Sequence, residues 1–390
     1  MKSISVQHLR EGFTFSDSLY VDGNVFLPAK IAITKNDLHV LQKLGVAEVF
    51  TNGMLLPTQT GEEAPQPAGQ NTGDAGQQFS QLQDSLRQQD ESSNEAAKGQ
   101  IFDRLSAEIR IINNQFNIIA VGKTAKPRIF WTVVATLLQL VKYNKLACIE
   151  FILGNNIKDC ELARNAVNSA ILSAVISMEM GANDKVVPEI VSAALLHDTG
   201  MLRLPRDLLE KTTPLTDEEK LIIQSHTVGS FRIVQDELRY PAMVSTAVLQ
   251  HHERWDGLGY PQRISGIHID KSACIIAVAD AFEAMVSKKP YRNSMTAYAA
   301  MKTMLSENFS HFSSKVLQTF IKVMGIYPIG SGVILNNGSH AKVQDNNKDA
   351  PLRPILKVVG DAKGQPIHNG EVIDLLSNKS VYITTTFDLK

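Results

Sequence analysis

His251-His252-Glu253-Arg254-Trp255-Asp256-Gly257-Leu258-Gly259-Tyr260-Pro261 is the stretch around which the rest of this 390-residue chain is best read. Two adjacent histidines close an apolar helical run, and a loop rich in Gly, Asp and aromatic residues follows at once. Working outward, His226 lies upstream, His197-Asp198 further upstream, and Asp280 downstream. His197-Asp198 ends the apolar run Ile190 to Leu196, and Asp280 sits in Ile275 to Asp280 with no other charge. A lone carboxylate on an apolar helix is costly unless it is paired or bound to metal. Divalent metals in hydrolases take imidazole nitrogen and carboxylate oxygen and keep a position open for water. His197, Asp198, His226, His251, His252 and Asp280, at the ends or inner faces of four successive helices, therefore read as one metal-ligating set. A single core histidine is more often just hydrogen-bonded; the combination is what carries the reading. His8, His39, His268, His311 and His340 have no such setting.

Composition limits the alternatives. The hydrophobic fraction of 44% supports a sizeable core, and the length suits two or three domains. A net charge of −1 gives no general pull towards nucleic acid polymers or anionic lipid. Cys148, Cys160 and Cys274 are scattered without a C-x-x-C pair, which argues against a disulfide framework or zinc ribbon and fits a reducing compartment. The N-terminus carries no charged-then-apolar signal pattern. The longest apolar run, Ile129 to Val141, falls short of the roughly 20 residues that a spanning helix needs. A cytoplasmic protein without membrane attachment is the expectation.

The chain divides into four parts. Residues 1–56 read as a small α+β module. It has a hairpin around Asp22-Gly23-Asn24, a helix capped by Asp37 that carries Leu38, Leu41 and Leu44 before Gly45, and a last strand over Val46 to Phe50. It reads equally as a docking or regulatory module and as a plain packing module. Residues 57–100 are poor in large apolar groups and read as a flexible linker with helical character near Phe79 to Arg87. Residues 101–326 show helical periodicity throughout: Ile101, Leu105, Ile109, Ile112, Phe116 and Ile119 first, then a break at Pro127. The spacing predicts further helices over Ile129–Tyr143, Glu161–Met180, Pro188–His197, Thr216–Asp236, Pro241–Glu253, Ser272–Ser287, Thr296–Asn308 and Ser314–Met324. Thr216-Asp217-Glu218-Glu219 is a capping box. In such an all-α bundle the ligands project inward from facing helices. Residues 327–390 carry glycines between short Val/Ile/Leu stretches and read as a β-rich unit, with strands at Val333–Leu335, Ile355–Val359 and Val381–Thr384.

The order and spacing of these motifs resemble the HD-GYP family, metal-dependent phosphodiesterases that open cyclic di-GMP in bacterial second-messenger signalling. The resemblance covers roughly residues 155–325. It rests on Leu195-Leu196-His197-Asp198-Thr199-Gly200, the His251 to Pro261 stretch, Val278-Ala279-Asp280-Ala281-Phe282 and Lys289-Pro290-Tyr291-Arg292. It implies an HD-type helical bundle as catalytic core. It implies that His197, Asp198, His226, His251, His252 and Asp280 hold two divalent ions, iron or manganese, with Asp198 bridging. It further implies that Gly257, Tyr260 and Pro261 shape the substrate pocket. Arg254, Arg263, Lys288, Lys289 and Arg292 suit a phosphate-bearing ligand, and Arg292, fixed by Pro290-Tyr291, is the preferred phosphate contact. Protein partners in signalling would use the N-terminal module or the Gly-Tyr-Pro loop.

Two positions depart from the family pattern. Where members carry an additional histidine before the His-Asp pair, this chain has Asn165, whose neutral carbonyl oxygen is a weaker ligand. Glu161, one turn earlier on the same face, matches the acidic ligand some members use for a third metal, or it pairs with Arg164 or Lys158. The lysine that usually follows His-Asp-x-Gly is here Met201, which removes a cation from beside the scissile phosphate. Arg203, two residues on, could reach in as a catalytic substitute or be a solvated loop charge. The retained ligands and the intact Gly-Tyr-Pro loop favour a phosphodiesterase that gives linear pGpG or GMP. Asn165 and Met201 favour a degenerate member that binds metal or nucleotide as a receptor or scaffold. A phosphohydrolase of the wider HD class is the third reading.

Overall fold

The computed structural model describes all residues apart from 1, 18, 22–23, 28–31, 34, 36–37, 39–40, 42–47, 57–74, 155–159, 288–294, 307–308, 348–349, 368–369 and 388–390, and it describes the backbone but not the side chains of 21, 24–26 and 75–96. Three apolar clusters, one for each folded part, organise it.

The N-terminal module carries strands β1 (Lys2–Ser5), β2 (Thr14–Phe15), β3 (Leu19–Val21), β4 (Asn24–Leu27), β5 (Glu48–Thr51) and β6 (Leu55–Leu56). β1, β5, β3 and β4 form one sheet in that order, and β2 pairs with β6. β3 and β4 are the antiparallel arms of the expected hairpin, whose Asp22 and Gly23 lie outside the described residues. Lys35, Leu38 and Leu41 are helical, and Leu41 is fully buried against Val49 and Leu19 in the module core. Asp37, Leu44 and Gly45 lie outside the described residues.

The helical part begins earlier than the composition suggests. Helix α1 runs continuously over Ala75–Ala120, so residues 75–100 are helical rather than an irregular linker. Gln, Ala, Glu, Lys and Arg dominate that stretch, and no proline interrupts it; these residues lose little freedom in a helix even where they bury nothing. From Leu105 onward α1 joins the core through Leu105, Ile109, Ile112, Phe116 and Ile119. Helix α2 (Pro127–Gly154) kinks at Asn144, and α3 (Glu161–Glu179) is buried along most of its length. Helix α4 (Val187–Leu196) starts with Pro188 in its first turn and is apolar on all sides, as its central position requires. A short α5 (Arg206–Leu209) follows.

The single helix expected over Thr216–Asp236 is divided into α6 (Asp217–Gln224), α7 (His226–Arg232) and a π-turn over Ile233–Glu237. The break at Ser225 starts a new helix at His226. The capping box is formed: Thr216 Oγ1 accepts from Glu219 N at 3.2 Å, and Glu219 Oε2 accepts from Thr216 N at 2.8 Å. Helices α8 (Ala242–Gln250), α9 (Lys271–Val286), α10 (Ala297–Ser306) and α11 (Ser314–Met324) complete the bundle. Asp270 caps α9 by accepting from Ser272 N at 2.8 Å. Among the described residues no helix is long and apolar enough to cross a membrane.

The C-terminal unit is a five-stranded antiparallel sheet of β7 (Gly332–Leu335), β8 (His340–Asp345), β9 (Ile355–Gly360), β10 (Val372–Asp374) and β11 (Ile383–Phe387), ordered β10-β9-β8-β7-β11. It meets the bundle through Tyr298 stacked on Tyr327 and through Lys342 on Glu150. It meets the N-terminal module through buried Arg353, which donates to the Ala32 carbonyl at 2.7 Å, and through Leu376, which packs on that module's core. The multi-domain arrangement read from the sequence, an all-α HD-type core between an α+β module and a β-rich unit, is the observed one.

Candidate metal centre

Helices α4, α7, α8 and α9 bring His197, Asp198, His226, His251, His252 and Asp280 to one place. His197 is the C-cap of α4 and His251 the C-cap of α8, and both rings are buried. The carbonyls of a helix's last turn have no partner within the helix. Here imidazoles supply it. His197 Nδ1 lies 2.7 Å from Ala194 O, His226 Nδ1 2.7 Å from Ile223 O, and His251 Nδ1 2.6 Å from Val248 O. A carbonyl can only accept, so each Nδ1 donates, and each ring, when it carries no second proton, presents its Nε2 lone pair inward. The helix ends thus fix both ring orientation and tautomer, as metal sites require of their histidines.

The inward atoms converge on Asp198. Its Oδ1 is 3.1 Å from His226 Nε2 and 3.6 Å from His251 Nε2, and its Oδ2 is 3.4 Å from His197 Nε2. His197 Nε2 is also 3.4 Å from Asp280 Oδ1, and the Nε2 atoms of His226 and His251 are 3.5 Å apart. Ligand atoms each about 2.0–2.2 Å from a common ion stand about 3–3.5 Å from one another, so these spacings suit cation ligands. Two groups result, Asp198 with His226, His251 and His252, and His197 with Asp198 and Asp280; Asp198 belongs to both. His197 Nε2 is fully buried without a hydrogen-bond partner, an orphaned lone pair that a divalent ion would satisfy.

The electrostatics agree. Burial opposes charge on every one of these rings. At His197 the carboxylates of Asp198 and Asp280 outweigh that burial and hold the imidazole well above its ordinary value, and at His226 Asp198 does the same. At His251 and His252 burial prevails, neighbouring imidazoles add to it, and both rings are held low and neutral. Burial alone would raise Asp198 and Asp280, yet the facing histidines hold both below the ordinary carboxylate range. The site favours positive charge between its carboxylates, which protons or divalent ions can supply.

The turns beyond the ligands are packed as closely as the ligands themselves. A Cβ on Gly200 would overlap the carbonyl oxygen of His226 and the amide of Ser230, so only glycine lets the turn after Asp198 rest on α7. Its amide donates to Ser230 Oγ at 2.7 Å. Gly259 is confined in the same way by the backbone of His252, Glu253 and Arg254. Tyr260 N donates to His252 O at 3.1 Å, and its ring lies 4.8 Å from the His252 ring. Burial, with the nearby Asp198 and Asp280 charges, pushes the Tyr260 phenol up, so it stays a neutral donor. Buried Glu253 accepts from Gln262 N at 2.6 Å, and Gln250 bridges Gln262 and the amide of Asp270. Gly257, Tyr260 and Pro261 line a cleft of about 470 Å³ beside the ligands. Gly200, Glu253 and Gln250 were not singled out from the sequence. Gly200 adjoins a ligand pair but its contacts come from α7, while Glu253 and Gln250 are tied by Gln262 and Asp270 later in the segment that follows α8.

Three expectations need correction or fall outside the description. Arg203 does not reach the ligands: its Nη1 and Nη2 are 2.5 and 2.8 Å from the two Glu237 oxygens, and Nε donates to Ile119 O at 3.4 Å. A planar guanidinium satisfied by a carboxylate in this bidentate way, and further tied to the end of α1, is a structural brace rather than a phosphate contact. Glu161 joins neither ligand group among the described residues, and Asn165 is buried on α3, which packs against α4 and α9. Without an imidazole at 165, imidazoles and carboxylates do not assemble a third group there. Arg292, with Lys288 and Lys289, lies outside the described residues. Arg254 is occupied by Asp256 at 2.5 Å.

Residues 153–316 match the HD domain, and residues 332–390 match the KOW domain associated with HD domains. The helices over residues 153–316 therefore match an HD domain. The chain is similar to a cyclic di-GMP phosphodiesterase of Pseudomonas aeruginosa, 32% identical over 211 residues, which are 54% of this chain and 51% of that protein. A cyclic di-GMP phosphodiesterase of Borreliella burgdorferi is 31% identical over 217 residues, 56% of this chain and 55% of the relative. One from Thermotoga maritima is 38% identical over 167 residues, 43% and 45% of the two chains. This chain spans about half the length of these curated relatives. The HD domain thus coincides with the ligand-bearing helices, and the KOW domain with the β7–β11 sheet.

Proposed function

We propose that this chain is a metal-dependent phosphodiesterase that hydrolyses cyclic di-GMP to linear pGpG or GMP, with iron or manganese as its divalent ions. The observation that carries the reading is the Asp198 carboxylate shared between two ligand groups, one completed by His226, His251 and His252, the other by His197 and Asp280. Ions bound there would supply Lewis acidity towards a phosphate oxygen and a water acidic enough to attack at neutral pH. The protein's own contribution is orientation. The Nδ1 bonds hold three imidazoles in register, Asp198 fixes the position of the attacking oxygen, and the Gly257–Pro261 loop walls off the cleft in which the phosphodiester lies. Neutral Tyr260 can donate to a phosphate or sugar oxygen there. The names of the relatives support the substrate. The N-terminal module is the surface this reading leaves for signalling partners.

One observation favours the alternative of a receptor or scaffold without turnover. The turn after Asp198 carries Met201 in place of a cation, and Arg203 is held by Glu237. The test is chromatographic product analysis after incubating iron- or manganese-loaded full-length protein with cyclic di-GMP. Linear dinucleotide or GMP that disappears in Asp198→Ala supports the phosphodiesterase. Bound metal without product supports the receptor.

A further inference from the structure

The cleft beside the metal centre has walls that phosphodiester cleavage does not account for. Leu221, Gln224 and Val228 come from α6 and α7, and Leu258, Tyr260 and Arg263 from the loop after His252. Leu221 is 66% exposed and Leu258 74%, one on each wall. Helix α6 buries none of its residues, so Leu221 faces the cleft mouth and contributes nothing to the core. An exposed leucine alone is ordinary, but here two line one cleft from separate segments, which gives that cleft apolar walls. Arg263 is exposed on the same cleft and, among the described residues, makes no ion pair or hydrogen bond, whereas Arg254 is held by Asp256 and Arg203 by Glu237. It is also one of two described non-glycine residues with positive φ, at 55°. The Tyr260 ring joins this cleft to the ligands, 4.8 Å from His252 and 6.3 Å from His226.

We propose that this cleft is a guanine subsite, in which Leu221 and Leu258 cover the faces of the base and Arg263 reads its O6/N7 edge. The proposal rests on the phosphodiesterase reading and deepens it to base specificity. A guanidinium places two parallel donors, and guanine offers two adjacent acceptors, O6 and N7. Adenine offers N7 beside an amino donor, which would oppose the second N–H. The volume of about 470 Å³ falls in the range of small-ligand pockets and leaves space for one nucleotide arm of a cyclic dinucleotide. Gln224, immediately before Ser225 and His226, adds an amide that can meet the remaining base edge.

The test is isothermal titration of the full chain with the bisphosphorothioate analogues of cyclic di-GMP and cyclic di-AMP, which resist hydrolysis. The wild type is expected to prefer the guanine analogue. Arg263→Gly removes the side chain at a backbone conformation glycine adopts freely. It should weaken the guanine analogue about tenfold or more and leave the adenine analogue within about twofold. Arg263→Lys keeps the charge but loses the fork, and should lose the same preference. Equal weakening of both analogues in Arg263→Gly would mean a phosphate contact and overturn the base-reading role. Equal wild-type affinity for the two analogues overturns the subsite alone. A wild type that binds neither overturns the phosphodiesterase reading with it.

Discussion

The turn after His197-Asp198 and the turn after His251-His252 start alike and end differently. Each leaves a helix whose last carbonyls are capped by histidine Nδ1, and each depends on a glycine pressed against foreign backbone. Beyond that point the first turn closes. Gly200 rests on α7, Met201 has replaced a cation, and Arg203 is consumed by Glu237 and Ile119. The second turn folds back on His252, then opens into a cleft lined by Tyr260 and by Arg263, which pairs with no other described residue. On the proposed reading, the first turn positions ligands for the ions and the second shapes the cleft. Met201, one of the two departures from the HD-GYP pattern, falls on the closed side.

The largest effect should follow from disturbing the open turn. A Cβ at Gly259 meets the backbone of His252, Glu253 and Arg254, so Gly259→Ala must displace the loop and Tyr260 with it. We expect turnover to fall by about 10²-fold or more, because misplacing a positioning group by about 1 Å costs that much. Metal content should fall far less than turnover, since His197, Asp198, His226 and Asp280 stand on other elements. Loss of metal in step with activity would show that the two turns are not separable.

A gain is expected on the closed turn. Met201→Lys restores a cation where a phosphoryl oxygen gains charge, and turnover should rise by about tenfold or more, given that a single such donor is typically worth about 10²–10³. In the same assay Arg203→Ala should change turnover by less than about threefold and cost about 1 kcal/mol or less of stability, as a partly exposed ion pair does. A large loss of turnover in Arg203→Ala, with no gain from Met201→Lys, would return Arg203 to the chemistry.

The sequence made the ligands legible because they stand at the ends or inner faces of apolar helices, where His and Asp have few other reasons to be. The capping box at Thr216 and three of the five described strands of the β-rich unit, β7, β9 and β11, were legible because their determinants lie within a few residues; β8 and β10 were not named. What escaped depends on contacts far apart in the chain. Arg203 and Glu237 meet only because α1, the turn after Asp198 and the π-turn after α7 converge. The break that gives His226 its own helix start has no proline or glycine at Ser225 to announce it. Residues 75–100 read as a linker because they carry few large apolar side chains, yet their composition suits a helix. The cleft walls at Leu221 and Leu258 were hidden because each alone is an ordinary exposed leucine.

The central claim is that Asp198 holds both ions. Its most direct test is metal stoichiometry by elemental analysis of the full chain loaded with iron or manganese, with circular dichroism to establish that each variant is folded. We predict two ions per chain in the wild type, one in Asp280→Ala, and neither in Asp198→Ala. A folded Asp198→Ala that retains one ion as tightly as the wild type would contradict a shared carboxylate, and with it the two-ion centre on which the proposed chemistry stands.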